Sequence, residues 1–453
     1  MDRLDYSPND AIAALSTPLG QSALAAIRVT GPGSLALLAP LFAPAAALEE
    51  APGHGAVHGH LIDPAHGGEK IDEVLLVVYR APRSFTGEEG AEIFTHGSPV
   101  IVRRALDALN RSGFRPAGPG EFTLRAFLNG KLDLTQAEAV NELVRARTDR
   151  ARALALRRLG GSIEGRVRAL AARLLGFLAA VEVQLDYPEE DLPAELLPRA
   201  ALEGFQAELA ALAGTYRVGR LIQEGVSAVL AGRANAGKST LFNRLLREER
   251  AIVSEEPGTT RDYLEGGISL EGVPVRLFDT AGYREPGGAV EAEGQRRTDA
   301  LVDGSELVLY LVDAAAGVAP EDRRFLAGRG RGAIPVWAKA DLARAPAPEG
   351  FLAVSAATGQ GLEELCRRMG ELVLAGAGGA GGEAVVDSLR QKQLLDRALE
   401  SFQEFRRGLE DGAALDLLAV DLREALEALG EITGEVCTQD ILSTIFSRFC
   451  VGK

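Results

Sequence analysis

The spacing of hydrophobic residues changes along the chain and divides it into segments. Residues 1–120 contain short β-like runs separated by Gly and Pro, such as LAAIRVTG, HGHLID and DEVLLVVYRAP. Residues 121–217 place Leu and Ala every three or four positions, which predicts helices. Residues 218–380 alternate apolar runs (VSAVLAG, VPVRLFDT, ELVLYLVDA and AIPVWAKA) with helical stretches. This alternation predicts a parallel sheet covered by helices.

The helical pattern returns after a glycine-rich joint, AGAGGAGGE, at residues 375–383. Within residues 381–453 the spacing predicts one buried helix face, formed by Leu389, Leu394, Leu395, Ala398, Phe402 and Phe405. Because helical segments lie on both sides of a complete α/β unit, that unit is predicted to be an inserted domain. The simplest arrangement is that the two helical segments pack together as one domain.

Composition and charge narrow the class of protein. The 453 residues carry a net charge of −15, which argues against salt-driven coating of nucleic acid. An arginine-rich strip from Arg145 to Arg173 either contacts RNA or forms a solvated helix face. The cysteines, Cys366, Cys437 and Cys450, lie far apart, so neither a disulfide framework nor a cysteine zinc site is indicated and a reducing cytoplasm is expected. No membrane span or secretion signal is predicted.

The clearest motif is GRANAGKS, from Gly232 to Ser239, which matches GxxxxGK[ST] between a predicted strand and a predicted helix. Glycines let backbone N–H groups close around phosphate oxygens, and a helix beginning near Lys238 directs its positive end at the same anion. Lys238 is predicted to reach the β- and γ-phosphates, and the Ser239 hydroxyl to bind Mg²⁺. The segment therefore predicts a nucleoside triphosphate site.

Three further motifs follow in the order typical of a guanine-nucleotide domain. GTTRD offers Thr260 as a second Mg²⁺ ligand, and DTAG places Asp279 near the metal and the Gly282 amide near the γ-phosphate. AKAD offers Asp341 as acceptor for the guanine N1 and N2 donors, and the SAATG backbone surrounds the base. The predicted GTP contacts are Asn235, Ala236, Gly237, Lys238, Ser239, Thr240, Ser254, Glu255, Glu256, Pro257, Gly258, Thr259, Thr260, Asp279, Thr280, Ala281, Gly282, Lys339, Asp341, Ser355, Ala356 and Ala357.

Position 338 departs from the usual base motif, NKxD, because Ala replaces Asn. Loss of the amide removes a tether to the phosphate loop and weakens nucleotide binding by about 1–3 kcal/mol if nothing compensates. Asp341 still separates guanine from adenine, since adenine lacks the matching pair of donors. We expect GTP to bind in preference to ATP, with modest affinity.

The residues that catalyse hydrolysis are less obvious. The position after DTAG is Tyr283, so the water-orienting Gln that many small GTPases place there is missing. Glu285, two residues further on, either orients the attacking water or is an exposed loop carboxylate. The Asn235 amide oxygen is able to coordinate a K⁺ ion that neutralises developing charge, with further oxygens from residues 254–259.

Taken together, several segments resemble the MnmE (TrmE) family of tRNA modification GTPases. They are TPLGQSALAAIRVTG, SFTGEEGAEIFTHGSPV, PGEFTLRAFLNGKLDLTQAEAV, GRANAGKSTLFN, AIVSEEPGTTRD, DTAGYRE and the terminal FCVGK. The resemblance implies a multidomain α+β and α/β fold. Residues 1–120 would form an α+β folate-binding and dimerisation domain, and residues 121–217 and 381–453 an all-α domain interrupted by a Ras-like P-loop GTPase domain at 218–380.

The resemblance also implies a function. Family members hydrolyse GTP and, with an FAD-dependent partner (MnmG) in a heterotetramer or larger complex, modify C5 of the wobble uridine at position 34 of certain tRNAs. They add an aminomethyl or carboxymethylaminomethyl group, and a tetrahydrofolate derivative (5,10-methylene- or 5-formyl-tetrahydrofolate) supplies the one-carbon unit. Hydrolysis is stimulated when two G domains of the homodimer meet with K⁺ bound.

Site residues are carried over by position. The folate contacts are Arg28, Glu92, Lys131 and Lys453, and the K⁺ ligands are Asn235, Ser254, Glu256 and Thr259. Ser254 and Glu256 differ from the commoner family residues, and a backbone carbonyl is the expected ligand at 256. Glu285 matches the catalytic glutamate of the family.

The terminal FCVGK is implied to fold back toward the folate and uridine site. Within it, Cys450 is either a thiol that attacks an activated uridine ring or a small buried hydrophobe. Two other functions stay open on the sequence: a ribosome-assembly GTPase that binds ribosomal RNA, and a signalling switch that performs no chemistry of its own.

Overall fold

The computed structural model describes residues 9–186, 197–248, 251–252, 264–280, 300–329, 332–375 and 384–453. The chain forms two compact units. Unit 1 comprises Met1–Val144, Arg158–Ala172 and Leu426–Lys453, and unit 2 comprises Arg145–Arg157 and Arg173–Ala425. The domain boundaries near residues 120, 217 and 380 stay predictions.

Extended segments lie mainly in the first and middle thirds of the chain. The described strands are β1 (Ile12–Leu15), β2 (Ser22–Thr30), β3 (Phe42–Ala43), β4 (Gly55–Asp63), β5 (Glu69–Tyr79), β6 (Gly90–Gly97), β7 (Arg115–Pro116), β8 (Val226–Gly232), β9 (Ala251–Ile252), β10 (Leu264–Leu270), β11 (Val273–Asp279), β12 (Leu307–Asp313), β13 (Ala333–Ala338) and β14 (Leu352–Val354).

Helices occupy most of the remaining described chain. They are α1 (Ser34–Leu38), α2 (Ala45–Glu50), α3 (Pro99–Arg111), α4 (Glu121–Leu128), α5 (Leu134–Arg145), α6 (Asp149–Leu159), α7 (Ser162–Asp186), α8 (Arg199–Gly214), α9 (Tyr216–Glu224), α10 (Lys238–Glu248), α11 (Pro320–Arg329), α12 (Leu362–Ala375), α13 (Leu389–Asp411), α14 (Leu415–Thr433) and α15 (Gln439–Phe446). Short 3₁₀ turns cover Ala39–Leu41, Pro64–His66 and Ala340–Leu342.

Unit 1 contains a sheet in the order β3-β4-β5-β6-β2-β1-β7. Its neighbours are antiparallel except for the parallel pair β1 and β7. Alternate residues of β5 (Val74, Leu76 and Val78) are buried, as expected for a strand with one face on a core. The opposite face of the sheet carries the polar side chains that form the candidate site of this unit.

Unit 2 contains a sheet in the order β14-β13-β12-β8-β11-β10-β9. The strands β14, β13, β12, β8 and β11 are parallel, as the alternating pattern predicts. The structure adds an edge that the sequence pattern did not predict, because β10 runs antiparallel to β11 and to β9. The two-residue turn Glu271–Gly272 joins β10 to β11, and so short a connection requires the two strands to be antiparallel. The sequence of β10 lacks the continuous apolar run that marks the other strands.

Helices from the two predicted helical segments contact each other within unit 2. The ring centroids of Phe205 on α8 and Phe402 on α13 lie 4.5 Å apart. The predicted buried face of α13 is correct for five residues but wrong for Leu389, which is 57% exposed. Leu389 is the first residue of the helix, so no preceding helical turn covers its side chain. None of the helices in the described parts of the chain is long and apolar enough to span a membrane.

Candidate functional site

The phosphate-loop motif occupies the turn between the end of β8 and the start of α10 in unit 2. At Gly232 the backbone has φ 134°, and an added Cβ would lie 2.3 Å from the carbonyl oxygen of Leu311. Gly237 also has a positive φ, 96°, and Asn235 has φ 62°. Only glycine fits the first of these positions, whereas asparagine tolerates the left-handed conformation. The motif therefore adopts the tight loop that its glycines predict.

Lys238 lies inside this loop and is 8% exposed. Its Nζ donates hydrogen bonds to the carbonyl oxygens of Gly232 at 2.8 Å and Arg233 at 2.9 Å. Ser239 and Thr240 follow in the first turn of α10, and the buried Ala236 precedes it in the loop. The ammonium group, the loop amides and the positive end of the helix dipole are thus close together, which is the arrangement that binds a polyphosphate.

Asp279 ends β11 and lies beside Leu230 of β8 in the parallel ladder. Its side chain is fully buried, and the Thr280 Oγ1 donates a hydrogen bond to the Leu230 carbonyl oxygen at 2.8 Å. The Asp279 carboxylate lies at the carboxyl end of β11, and the Ser239 hydroxyl lies in the first turn of α10, just after the loop that follows β8. Both are hard oxygen ligands, which Mg²⁺ prefers. The donor set therefore fits this ion.

A cavity of about 200 Å³ lies beside the phosphate loop. For comparison, a cavity of about 150 Å³ admits benzene, so this one is large enough for a planar ring. Its lining includes Gly237, Thr240, Lys339, Asp341, Ala356 and Ala357, all of them predicted nucleotide contacts. The structure thus brings the base motif AKAD and the SAATG loop to the same cavity as the phosphate loop.

Lys339 is held in place by a residue that the sequence reading missed. Its Nζ donates a hydrogen bond to Asp313 Oδ2 at 2.6 Å, and its backbone is left-handed with φ 58°. Burial by itself would raise the pKa of Asp313, but the bonds from Lys339 and the Ala315 amide lower it below its ordinary value. Asp313 ends β12, next to the strand that carries AKAD. The sequence did hold one indication of this role, because ligand-binding residues often lie at the carboxyl ends of parallel strands, where Asp313 is found.

The remaining base-loop residues differ in their surroundings. Ala338 lines the cavity and is 6% exposed, and its carbonyl oxygen accepts a hydrogen bond from the Ala314 amide at 2.9 Å. Ser355 is fully buried, and its Oγ accepts from the Thr358 amide at 3.2 Å. Ser355 therefore shapes the loop that carries Ala356 and Ala357 and does not itself line the cavity.

Several predicted residues lie outside the described part of the chain. They are Ser254, Glu255, Glu256, Pro257, Gly258, Thr259, Thr260, Ala281, Gly282 and Glu285. Of the predicted K⁺ ligands, the described one is Asn235, whose amide oxygen is a suitable hard donor.

Unit 1 has a separate polar cluster on the exposed face of its sheet. Arg28 on β2 and Glu92 on β6 are cross-strand partners, and Arg28 Nε donates to Glu92 Oε1 at 2.7 Å. The Tyr79 hydroxyl on β5 donates to Glu92 Oε2 at 3.3 Å. Burial and the neighbouring Glu92 raise the pKa of Tyr79, so its hydroxyl stays protonated as the donor. Two predicted folate contacts therefore touch, and Tyr79 is a third member that had no sequence signal.

The C-terminal residues dock against the same unit. Arg28 Nη1 donates to the Gly452 carbonyl oxygen at 3.1 Å. Residue Val451 forms a β-bridge with Pro119, and the Phe122 amide donates to the Lys453 carbonyl oxygen at 3.2 Å. These contacts bring the FCVGK segment to the Arg28 cluster, so the polar groups of the tail have defined partners.

Cys450 is exposed, whereas Phe446 and Phe449, which precede it, are buried and in ring contact. The alternative interpretation of Cys450 as a small buried hydrophobe is therefore wrong, because the two phenylalanines supply the apolar anchor. The Cys450 carbonyl oxygen accepts a hydrogen bond from the Gly120 amide at 3.3 Å, which leaves the thiol on the accessible side of the segment.

The two predicted lysine contacts have different environments. Burial lowers the pKa of the Lys453 ammonium, and the nearby Arg28 charge lowers it further. Lys131 donates from Nζ to the Pro82 carbonyl oxygen at 3.2 Å, at the edge of the loop that carries SFTGEE. Lys453 is therefore part of the Arg28 cluster, and Lys131 holds the neighbouring loop.

A buried ion network supports this part of unit 1. Arg125 is fully buried and donates from Nη2 to Asp10 Oδ1 at 2.6 Å and to Glu121 Oε1 at 3.0 Å. Arg115 also bonds both carboxylates. Burial by itself would raise the pKa of Glu121, but the hydrogen bonds from Arg115, the Gly118 amide and Arg125 lower it below its ordinary value. The network joins the first described residues to the helix that contacts the tail.

The arginine-rich strip does not form a uniform solvated face. Arg158 is fully buried and donates from Nη1 to Glu142 at 2.6 Å. Arg168 pairs with Glu164 at 2.6 Å, and Arg173 pairs with Glu208 at 3.0 Å. These pairs neutralise part of the strip, which weakens its interpretation as an RNA-binding surface.

Comparison with known proteins agrees with this architecture. The family model of the TrmE N-terminus matches residues 11–131, and that of the MnmE helical domain matches residues 134–450. A tRNA modification GTPase MnmE of Carboxydothermus hydrogenoformans is 39% identical over 98% of this chain and 99% of its own length.

Two further proteins extend the comparison. The tRNA modification GTPase MnmE of Symbiobacterium thermophilum is 41% identical over 98% of this chain and 99% of its own length. The G domain of the T. maritima FeoB iron transporter covers 32% of this chain and 98% of its own, at 27% identity and a TM-score of 0.25, which is too low to support an argument. With full-length relatives at this identity and matching family models for both parts, the chain belongs to the MnmE family of tRNA modification GTPases.

Proposed function

We propose that this chain is a GTP-hydrolysing tRNA modification enzyme. With an FAD-dependent partner similar to MnmG, it would act in the cytoplasm to add an aminomethyl or carboxymethylaminomethyl group to C5 of the wobble uridine, position 34. The one-carbon unit would come from a tetrahydrofolate derivative. Family membership over 98% of the chain supports this assignment. We further propose a homodimer whose G domains meet in the presence of K⁺.

The observation that carries the GTPase assignment is one cavity lined both by Asp341 and by the phosphate-loop residue Gly237. The Asp341 carboxylate would accept hydrogen bonds from guanine N1 and N2, while adenine offers no such pair of donors. Lys238 and the loop amides would hold the phosphates, and Ser239 and Asp279 would hold Mg²⁺, which supplies positive charge to the phosphate oxygens.

Hydrolysis requires that water attack the γ-phosphorus while the bond to the β–γ bridging oxygen breaks. We propose that Glu285 orients that water and accepts its hydrogen bond, as its match to the family glutamate suggests. Asn235 with Ser254, Glu256 and Thr259 would hold K⁺, whose charge takes the part that an arginine plays in other GTPases.

The folate proposal rests on the chemistry of the Arg28 cluster. A pterin ring presents adjacent N–H donors, and the Glu92 carboxylate, fixed by Arg28 at 2.7 Å, is a matching acceptor. The glutamyl carboxylates of a folate suit the ammonium groups of Lys131 and Lys453. The exposed Cys450 thiol lies in the same terminal segment and is a candidate nucleophile toward the uridine ring.

Two measurements on the purified chain test the proposal. GTP hydrolysis should be faster in KCl than in NaCl and should rise per molecule with protein concentration, as expected for activation by dimerisation. Equal rates in both salts would contradict the K⁺ proposal. Asp341→Asn should lower GTP affinity by about 100-fold, because one acceptor oxygen becomes neutral and the other is replaced by an NH₂ group that faces a guanine donor. Glu349→Gln, an exposed carboxylate in the same unit, is the matched control.

The tRNA chemistry needs its own test. In a strain lacking the gene, wobble uridines examined by mass spectrometry should lack the C5 group, and the wild-type gene should restore it. A Cys450→Ser gene that restores it fully would remove the thiol from the mechanism. If the protein turns over GTP normally but the wobble uridines are the same with and without the gene, a ribosome-assembly factor or a signalling switch would be favoured instead.

A further inference from the structure

Thr148 fastens the start of helix α6 to the turn of the hairpin β10–β11. The Thr148 Oγ1 donates a hydrogen bond to the Gly272 carbonyl oxygen at 2.8 Å and accepts one from the Ala151 amide at 3.1 Å. The side chain is therefore an N-cap of α6 and a tether to the hairpin at the same time. Thr148 is 9% exposed, so water does not compete freely for either bond.

Arg150 makes a second contact at the same place. Its Nη1 donates to the Glu271 carbonyl oxygen at 3.3 Å. Its aliphatic stem covers Gly272, where an added Cβ would lie 2.9 Å from Arg150 Cβ. A side chain at position 272 would thus separate the helix from the turn. Because glycine has no side chain, the backbone of the turn can lie close to the start of α6.

The hairpin has a short and regular turn. Leu270 and Val273 are paired across the two-residue turn, in which Glu271 has φ 50° and Gly272 has φ 76°. Both values are positive, as in the tight turn that matches the twist of the two strands. The strand β11 is bonded to β8 on one side and to β10 on the other, so it moves only together with its neighbours.

The two ends of β11 meet different partners. One end is Asp279, beside the phosphate loop, and the other is the turn held by Thr148. Ala151 and Leu154 of α6 also pack in the core cluster that contains Val273 and Val275. Helix α6 is therefore attached to the strand that ends at the nucleotide site, although it precedes the phosphate loop by about 80 residues of sequence.

We propose that Thr148 is a positioning residue that passes the nucleotide state of the GTPase sheet to helix α6. A shift of β11 on exchange of GDP for GTP would reach the helix through the Thr148 hydroxyl, supported by the weaker Arg150 bond to the same turn. This inference rests on the proposed GTP binding, and it assigns Thr148 no part in hydrolysis. Neither Thr148 nor Arg150 lies in the phosphate loop or lines the base cavity.

Hydrogen exchange of the full-length protein tests the proposal. With GDP and with a non-hydrolysable GTP analogue, amides of residues 149–159 should exchange at different rates in the wild type. Thr148→Val keeps the shape but lacks the hydroxyl, and should reduce this difference, while Thr148→Ser keeps the hydroxyl and should retain it. Identical exchange in the two nucleotide states of the wild type would overturn the proposal, as would an unchanged difference in Thr148→Val.

Activity separates positioning from a merely structural role. Thr148→Val should hydrolyse GTP within about twofold of the wild type, but tRNA modification with the FAD-dependent partner should fall by about fivefold or more. Arg150→Met, which keeps the stem over Gly272 and removes the guanidinium bond, should act in the same direction more weakly. Parallel loss of hydrolysis and modification in both variants would show a structural role and contradict the proposal.

Failure of the proposed function gives a different result. A wild-type protein that binds labelled GTP but modifies no tRNA would refute the tRNA chemistry, whereas the exchange comparison would still decide the role of Thr148.

Discussion

Arg28 donates a hydrogen bond from Nη1 to the carbonyl oxygen of Gly452 at 3.1 Å, across a sequence separation of 424 residues. The same guanidinium binds Glu92 through Nε at 2.7 Å. A single side chain thus joins the central strands of the unit 1 sheet to the C-terminal segment. The docked tail therefore adds the Gly452 carbonyl oxygen and Lys453 to the polar cluster proposed to bind folate.

Removal of the Arg28 guanidinium should therefore disrupt folate binding. Arg28→Met is expected to lower the affinity for 5-formyl-tetrahydrofolate by about tenfold or more, because hydrogen bonds to charged groups contribute about 1.5–3 kcal/mol each. Calorimetric titration measures the change. Arg103→Met, an exposed arginine on α3, serves as the control for loss of one positive charge. Unchanged affinity in Arg28→Met would show that the folate site lies elsewhere.

Gly452→Ala should release the tail from unit 1. Gly452 has φ 89°, and an added Cβ would lie 2.5 Å from the Leu15 carbonyl oxygen, so the docked backbone cannot accept a side chain. We expect faster proteolysis near the C-terminus and a loss of tRNA modification of about tenfold or more at unchanged GTP hydrolysis. Val451→Ala, at an exposed neighbouring position, should behave like the wild type. A docked tail in Gly452→Ala, shown by wild-type proteolysis, would contradict this account.

Ala338→Asn should tighten nucleotide binding. Ala338 lines the base cavity, and an amide there can bond the phosphate loop, as the usual motif residue does. One such bond contributes about 1 kcal/mol, so GTP affinity should rise by about fivefold, as measured by displacement of a fluorescent nucleotide. Ala343→Asn, outside the cavity, is the control. Equal affinity in Ala338→Asn and the wild type would mean that the ion pair of Lys339 with Asp313 already compensates.

Arg125→Met should destabilise unit 1, and the loss should depend on pH. Removing one partner of a buried ion network costs up to about 3 kcal/mol, because Asp10 and Glu121 lose the fully buried one of their two arginine partners and keep Arg115. Arg104→Met, which breaks the exposed pair with Glu69, should cost at most about 1 kcal/mol. Calorimetric melting at neutral pH compares the two variants.

The pH dependence follows from the direction of the pKa shifts. Burial opposes the effect, but hydrogen bonds from the arginines hold the pKa of Asp10 and of Glu121 below the ordinary carboxyl values. The stabilisation is therefore complete above about pH 4.5 and is lost as the pH falls through the lowered pKa values. The difference in melting temperature between the wild type and Arg125→Met should narrow in acid. A constant difference across this range would show that the network does not titrate.

Much of unit 2 could be predicted from local sequence, for a physical reason. Parallel strands buried on both faces require continuous apolar runs, and β8, β11, β12 and β13 all have them. The phosphate loop was predictable because its glycines encode a backbone conformation within eight residues. In contrast, β10 contains adjacent glycines in LEGGISL and shows no such run, so the antiparallel edge of the sheet was missed.

The sequence by itself determined the strands β8, β11, β12 and β13, the phosphate loop, the base motif and the family of the chain, because each depends on residues that are neighbours along the chain. Only the tertiary structure decided that Asp313 holds Lys339, that Tyr79 completes the Arg28 cluster, and that Thr148 joins α6 to the hairpin. It also decided that the Cys450 thiol is exposed. These contacts join residues that are distant in sequence, and their energies depend on distances and burial that no local pattern records.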